Sequence, residues 1–119
     1  MPYLQLTTNV KVEDPKGFAR EFSKLGAEVL GKPEGYISVS IAQNDTLTFG
    51  GSFDPAFQLL VISLDNINPQ VNEVYSKKFF QFFKDKLNIP DNRAYITFID
   101  PGRANIAHQS TTFATIFGK

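Results

Sequence analysis

Cysteine is absent from the chain, tryptophan is absent, and histidine occurs once. Without cysteine there can be no disulfide, no thiolate nucleophile and no zinc–thiolate site. A lone histidine argues equally against a histidine-based metal site, and no metal or cofactor is expected. Charge of one sign is also missing, because twelve basic side chains balance twelve acidic ones. That leaves no net positive field to attract nucleic acid or an acidic membrane surface. No apolar run approaches the length of a membrane span, and Met1 to Asn9 lacks the basic and apolar regions of a signal peptide. The expected location is the cytoplasm.

What is abundant is phenylalanine, twelve residues in a chain of 119. That length fits one domain, residues 1–119, able to bury roughly two-thirds of its unfolded surface. Tyr3 to Thr7 alternates, with Leu4 and Leu6 on one side, as a half-buried strand does. Asp14-Pro15 then supplies a helix N-cap with proline at the first helical position. Phe18, Phe22, Leu25 and Val29 follow at helical spacing, and Gly31 and Pro33 end the segment. Tyr36 to Ile41 alternates again, with Ile37, Val39 and Ile41 on one face.

The second half repeats this grammar. Leu59 to Leu64 reads as a strand, and Asn68-Pro69 caps a helix carrying Val71, Val74, Tyr75, Phe79, Phe82, Phe83 and Leu87. Asn88 and Pro90 end that helix, and Ala94 to Ile99 is the closing strand. Pro15 and Pro69, Pro33 and Pro90, and Tyr36 and Tyr95 recur 54 to 59 residues apart, near the size of one βαβ unit with its connection. The expected fold is α+β: two pseudo-symmetric βαβ units forming a four-stranded mixed sheet with both helices on one face. Leu60, Ile62 and Leu64 then lie on the face opposite Leu59 and Val61. An uncovered apolar face of that size is unusual in a soluble monomer, so a homo-oligomer is expected. Between the units, Phe49-Gly50-Gly51-Ser52 reads as a tight turn; a phosphate loop would need a lysine and a following helix.

Pro2 is the most informative position, although taken alone Met1-Pro2 is also a common start with no chemistry attached. Met1 precedes a small residue and is expected to be removed, leaving Pro2 with a free secondary amine. An α-amino group ordinarily titrates near about 7.7–8.0, and burial or a nearby cation lowers that value toward the range of a useful base.

Over nearly its full length the chain resembles the tautomerase superfamily, in the branch of macrophage migration inhibitory factor and D-dopachrome tautomerase. The resemblance rests on the order and spacing of Met1-Pro2, Thr8-Asn9-Val10, Gly31-Lys32-Pro33, Tyr36-Ile37 and Phe49-Gly50-Gly51-Ser52. It continues with Tyr75-Ser76-Lys77, Asp91-Asn92-Arg93, Tyr95-Ile96, Asp100 and Thr112-Phe113-Ala114. It implies a homotrimer whose active sites lie between subunits. Pro2 would be the catalytic base and Lys32 the cation that receives a substrate carboxylate. Leu64 would form an apolar wall, and Tyr95 would come from the neighbouring subunit. Tyr3, Tyr36, Ile106 and Phe113 fall at other positions around the pocket. Each also has a plain structural role open to it: Lys32 beside a helix end complements the helix dipole, and Tyr95 and Phe113 can simply pack.

The implied reaction is cofactor-independent keto–enol tautomerisation of phenylpyruvate-like α-keto acids. Three departures bear on specificity: Thr97 replaces an asparagine, His108 replaces a tryptophan, and Ile62 replaces a histidine. His108 reads as a rim residue. Arg103, in Pro101-Gly102-Arg103, reads as solvated more readily than as a carboxylate ligand. Ala56 and Leu59 stand where the cytokine has a Cys-x-x-Cys pair, which excludes thiol oxidoreductase chemistry. Thr115 to Lys119 would lengthen an intersubunit strand. The resemblance leaves two alternatives: a cytokine-like binding protein with a vestigial pocket and a protein receptor, secreted without a signal peptide, or a related dehalogenase or decarboxylase using the same amine.

Overall fold

In the computed structural model, which describes residues 1–118, the repeated grammar becomes two β-α-β units. Strand β1 (Tyr3–Thr8), helix α1 (Pro15–Leu30) and strand β2 (Ser38–Gln43) form the first; β3 (Phe57–Ile62), α2 (Pro69–Leu87) and β4 (Ala94–Ile99) form the second. Strand order is β2-β1-β3-β4. Each unit pairs its own strands in parallel, and β1 and β3 join the units antiparallel. No helix among the described residues is long and apolar enough to cross a membrane.

Both helices start where the sequence places a cap. The Asp14 carboxylate accepts the Gly17 N–H, and the Asn68 side chain accepts the Val71 N–H, each with proline opening the helix. Such a cap contributes about 1 kcal/mol. At the other end Gly31 takes φ 65° and Asn88 φ 55°. This left-handed turn lets the Lys32 N–H reach the Ala27 carbonyl and closes α1. Within α1, Gly26 faces β1 so closely that a Cβ there would lie 2.6 Å from Leu4 Cδ1. Glycine is what brings helix and sheet together at that point.

One core lies between the helices and one sheet face. Leu4, Leu6, Phe57, Leu59 and Val61 of the strands meet Phe18, Phe22, Tyr75, Phe79 and Phe83 of the helices. The register places the opposite face in rows: Ser38, Tyr3, Ile62 and Ile99, then Ser40, Gln5, Leu60 and Thr97, then Ala42, Thr7, Gln58 and Tyr95. No helix among the described residues covers this face. Its β1–β2 half is largely polar and its β3–β4 half largely apolar.

Four readings of the elements and their packing need correction. Tyr36 does not open a strand: Glu34–Tyr36 is a 3-10 turn, closed by the Ile37 N–H on the Glu34 carbonyl, and β2 starts at Ser38. The third strand runs Phe57–Ile62 rather than Leu59 to Leu64, because the chain turns at Asp65, whose φ is 66°. Val74 projects to solvent instead of joining the core. The C-terminal segment does not continue as a strand. After the two-residue strands β5 (Ala107–His108) and β6 (Thr111–Thr112), a short helix α3 spans Phe113–Ile116. Thr112 caps it by accepting the Thr115 N–H, and Phe113 anchors it by burial. Lys119 lies outside the described residues.

Candidate functional site

The N-terminus, the end of α1 and the turn after β3 converge on one cavity. Its volume is about 280 Å³, and Met1, Lys32, Pro33, Tyr36, Leu64, Asp65 and Phe117 line it. Pro2 is buried just inside, with its carbonyl accepting the Ser38 N–H at 3.0 Å. The α-amino group of Met1 stands one residue ahead of the Pro2 nitrogen, so its surroundings are the nearest measure of those a freed Pro2 amine would meet. Burial chiefly, and then Lys32, hold that amine below its ordinary pKa, while Asp65 opposes them.

Lys32 leaves the left-handed turn at Gly31 and donates from Nζ to the Leu64 carbonyl at 3.3 Å. Among the described residues it forms no ion pair. Its charge is therefore free to take an anionic group.

The turn that carries Leu64 and Asp65 is tied on several sides. The Ser63 N–H donates to the Ile99 carbonyl, and the Ser63 hydroxyl meets Asn66 Oδ1. Asn66 Nδ2 donates to the Leu30 carbonyl at 3.1 Å, and the Tyr75 hydroxyl donates to the Asn66 carbonyl at 2.8 Å. Asp65 sits in the left-handed region that aspartate tolerates better than most residues. Its N–H donates to Asp100 Oδ2, and its own Oδ2 accepts from Arg103 Nε and Nη2 at 3.0 and 2.9 Å. Arg103 is thus paired with a carboxylate, contrary to the solvated reading. Its guanidinium also lies 4.9 Å from the centroid of the Phe117 ring.

Of the residues singled out from sequence, the cavity brings together Lys32, Tyr36 and Leu64, beside Pro2. The others lie elsewhere in a single chain. Tyr95, 64 % exposed, stands on the uncovered sheet face against Phe49, at the far end of β4 from the cavity. Thr97 is exposed one pair of residues along the same face. Ile106 is half-buried and its carbonyl accepts the Phe113 N–H; Phe113 is buried beneath Phe117; His108 is exposed with its ring parallel to that of Phe113. Sequence reasoning missed Asp65 and Phe117 as cavity residues. The N-cap spacing Thr112 to Thr115 was the available signal that the C-terminal segment turns back as a helix.

Other motif residues hold loops. Asn9 Nδ2 donates to the carbonyls of Leu47, Phe53 and Asp54, and its Oδ1 accepts the Ala56 N–H. Arg93 donates to the carbonyls of Phe49, Ser52, Asp54 and Pro55. Together they fix the turn at Gly50-Gly51 that supports Tyr95. No group of three or more His, Asp or Glu among the described residues could hold a metal ion.

The charges around the amine make a titration prediction. In the chain that keeps Met1, Asp65→Asn removes the one carboxylate that stabilises the ammonium, so the amine pKa falls further. Lys32→Met removes a repelling cation, so it rises. Amine labelling as a function of pH, read by intact mass with mapping of the N-terminal peptide, should place the two variants on opposite sides of the parent. A shift of both in the same direction would contradict the arrangement.

Residues 1–114 match the family model described as Macrophage migration inhibitory factor (MIF). A macrophage migration inhibitory factor homolog of Trichuris trichiura is 38% identical over 114 residues, covering 95% of this chain and 100% of that protein. One from Brugia malayi is 34% identical over 114 residues, covering 95% and 99%. The solved structure of the factor from Trichinella spiralis superposes with a TM-score of 0.86 at 36% identity, covering 92% of this chain and 98% of that one.

Proposed function

Because the chain belongs to the macrophage migration inhibitory factor family, we propose that it is a cofactor-independent keto–enol tautomerase of phenylpyruvate-like α-keto acids, with the amine of Pro2, freed by loss of Met1, as the base. The observation that carries this reading is the N-terminus buried beside an unpaired lysine. Burial and Lys32 both depress the Met1 amine one residue ahead of the Pro2 nitrogen, and a depressed amine is what proton abstraction beside a carbonyl requires.

The substrate carboxylate pairs with Lys32, which turns the adjacent carbonyl and its neighbouring carbon toward Pro2. The amine takes a proton from that carbon, the C–H electron pair becomes the carbon–carbon double bond, and the carbonyl oxygen gains a proton from water as the enol. The reverse sequence restores the ketone. Tyr36 and Leu64 give the substrate apolar walls. Positioning matters here as much as basicity, since proton transfer needs near-contact geometry.

Assembly completes the reading. The uncovered apolar half of the sheet, Leu60, Ile62 and Ile99, is the surface through which three copies would meet, and Tyr95 would reach the cavity of a neighbour. A charge at Leu60 should therefore separate the copies. Leu60→Asp is expected to sediment as a monomer and to lose most activity. A monomeric Leu60→Asp with full activity would mean that one chain holds the whole site.

The direct test is exchange of the substrate's carbon-bound hydrogen with deuterium, followed by proton NMR on protein shown by intact mass to begin at Pro2. Phenylpyruvate should exchange well above the buffer rate, and absence of exchange by correctly processed protein would reject the proposal.

A further inference from the structure

The matched region ends at residue 114, and 114 residues of this chain suffice to cover the relatives almost end to end. Phe117 lies beyond that region and yet lines the cavity. Resting on the tautomerase reading, we infer that Phe117 is a specificity-determining wall of this site, selecting α-keto acids that carry an aryl group over small aliphatic ones.

The side chain is 47 % exposed, and by exposure alone it would need no explanation. Its restraint is what assigns the role. Thr112 caps α3, and the buried Phe113 fixes that helix to the body of the protein. The Phe117 N–H donates to the Phe113 carbonyl at 2.9 Å, and the two rings lie 5.5 Å apart. On another side, the Arg103 guanidinium approaches the Phe117 ring and is itself locked on Asp65. A phenylalanine that merely frayed at a chain end would have no such supports. Held by Phe113 and Arg103, the ring closes one side of a cavity whose other aromatic residue is Tyr36. Two aromatic walls favour a flat apolar substituent, which can stack or meet them edge-on. An aliphatic acid too short to reach Phe117 gains nothing from it. Arg103 acts as a positioning residue: paired with Asp65, it holds the ring and has no free carboxylate-binding role.

Contact with a remote substituent affects binding of ground state and transition state alike, so its loss appears in KM with kcat retained. The test compares processed, full-length protein with Phe117→Ala and Phe117→Tyr, measuring deuterium exchange into phenylpyruvate and into 2-oxobutanoate. Phe117→Ala is expected to raise KM for phenylpyruvate about fivefold, the scale of one aromatic contact, with kcat held and 2-oxobutanoate changed less than about twofold. Phe117→Tyr should restore the parent values. Equal effects on both substrates, or an effect on kcat alone, would overturn the inference in favour of simple packing.

A second measurement needs no turnover. Phenyl and methyl isothiocyanate both modify the N-terminal amine, and the ratio of their rates, read on the N-terminal peptide by mass spectrometry, reports aryl recognition at the cavity. Phe117→Ala should lower the phenyl-to-methyl ratio. A lowered ratio in a protein without exchange activity would sink the tautomerase reading and leave Phe117 as an aryl-selective wall. An unchanged ratio would overturn the inference whatever the activity.

Discussion

A chain that keeps Met1 should lose about 100- to 10,000-fold of its exchange activity toward phenylpyruvate, the contribution usual for a positioned general base. With Met1 attached, the Pro2 nitrogen is a tertiary amide whose lone pair is delocalised into the carbonyl, and it cannot accept a proton. Met1 does bring its own amine into the cavity, depressed by burial and by Lys32. That amine is displaced from the Pro2 nitrogen by three backbone bonds, about 3 Å. Displacements of about 1 Å already cost about a hundredfold in reactions that need near-contact geometry, so a basic amine in the wrong place does not rescue the reaction. Pro2→Ala, processed to a free primary amine, separates the two demands. Its nitrogen is in the right place and meets the same burial and the same Lys32 charge, but it lacks the ring that fixes its orientation. A loss of about a hundredfold is expected there, with the pH profile still governed by an amine. Both variants are compared with the parent by intact mass and by NMR exchange rates. Parent-like activity in the Met1-bearing chain would place the base somewhere other than Pro2.

The fold was legible because its signals are local. Alternation in Tyr3 to Thr7, the caps at Asp14 and Asn68, and the stops at Gly31 and Asn88 each act over a few residues, and each element formed where they point. Lys32, Tyr36 and Leu64 were legible as a group only through the resemblance, since 32 residues of chain separate Lys32 from the carbonyl it bonds. What local pattern could not show were meetings between loops. Asp65 and Arg103 are 38 positions apart, and neither alternation nor helical spacing marks either one. Phe117 read as strand because its helical spacing from Phe113 spans barely one turn, too short a run for periodicity to declare a helix. Tyr36 illustrates a smaller failure: Ile37, Val39 and Ile41 alternate correctly, but Pro33 and Glu34 set up a turn that takes Tyr36 out of the strand and leaves its ring at the cavity. The residues hardest to place from sequence are those on the turns around the cavity, where geometry comes from the ends of several elements at once.

Phe22→Ala should destabilise the protein by about 3–5 kcal/mol, the largest folding effect expected of any single truncation here. The Phe22 ring is fully buried, with the rings of Phe18, Phe79, Phe82 and Phe83 between 5.4 and 6.4 Å from it. Four of these five are thus held in place partly by the fifth. Because they come from both helices, the space cannot collapse without moving α1 relative to α2. A domain of this kind has only about 5–15 kcal/mol in total, so one ring accounts for a large part of it. Phe53→Ala is the control: that ring is 66 % exposed, and its loss should stay within about 0.5 kcal/mol. Urea unfolding at a fixed protomer concentration measures both, the fixed concentration being needed because assembly would add to apparent stability. The site sits at the end of α1, where Gly31 turns Lys32 into the cavity, and Phe22 lies more than two helical turns away. Activity per folded protein should therefore be retained in Phe22→Ala while the folded fraction falls. Equal loss of activity at temperatures where the variant is fully folded would mean that the core sets the position of Lys32, and not merely the stability of the helix that carries it.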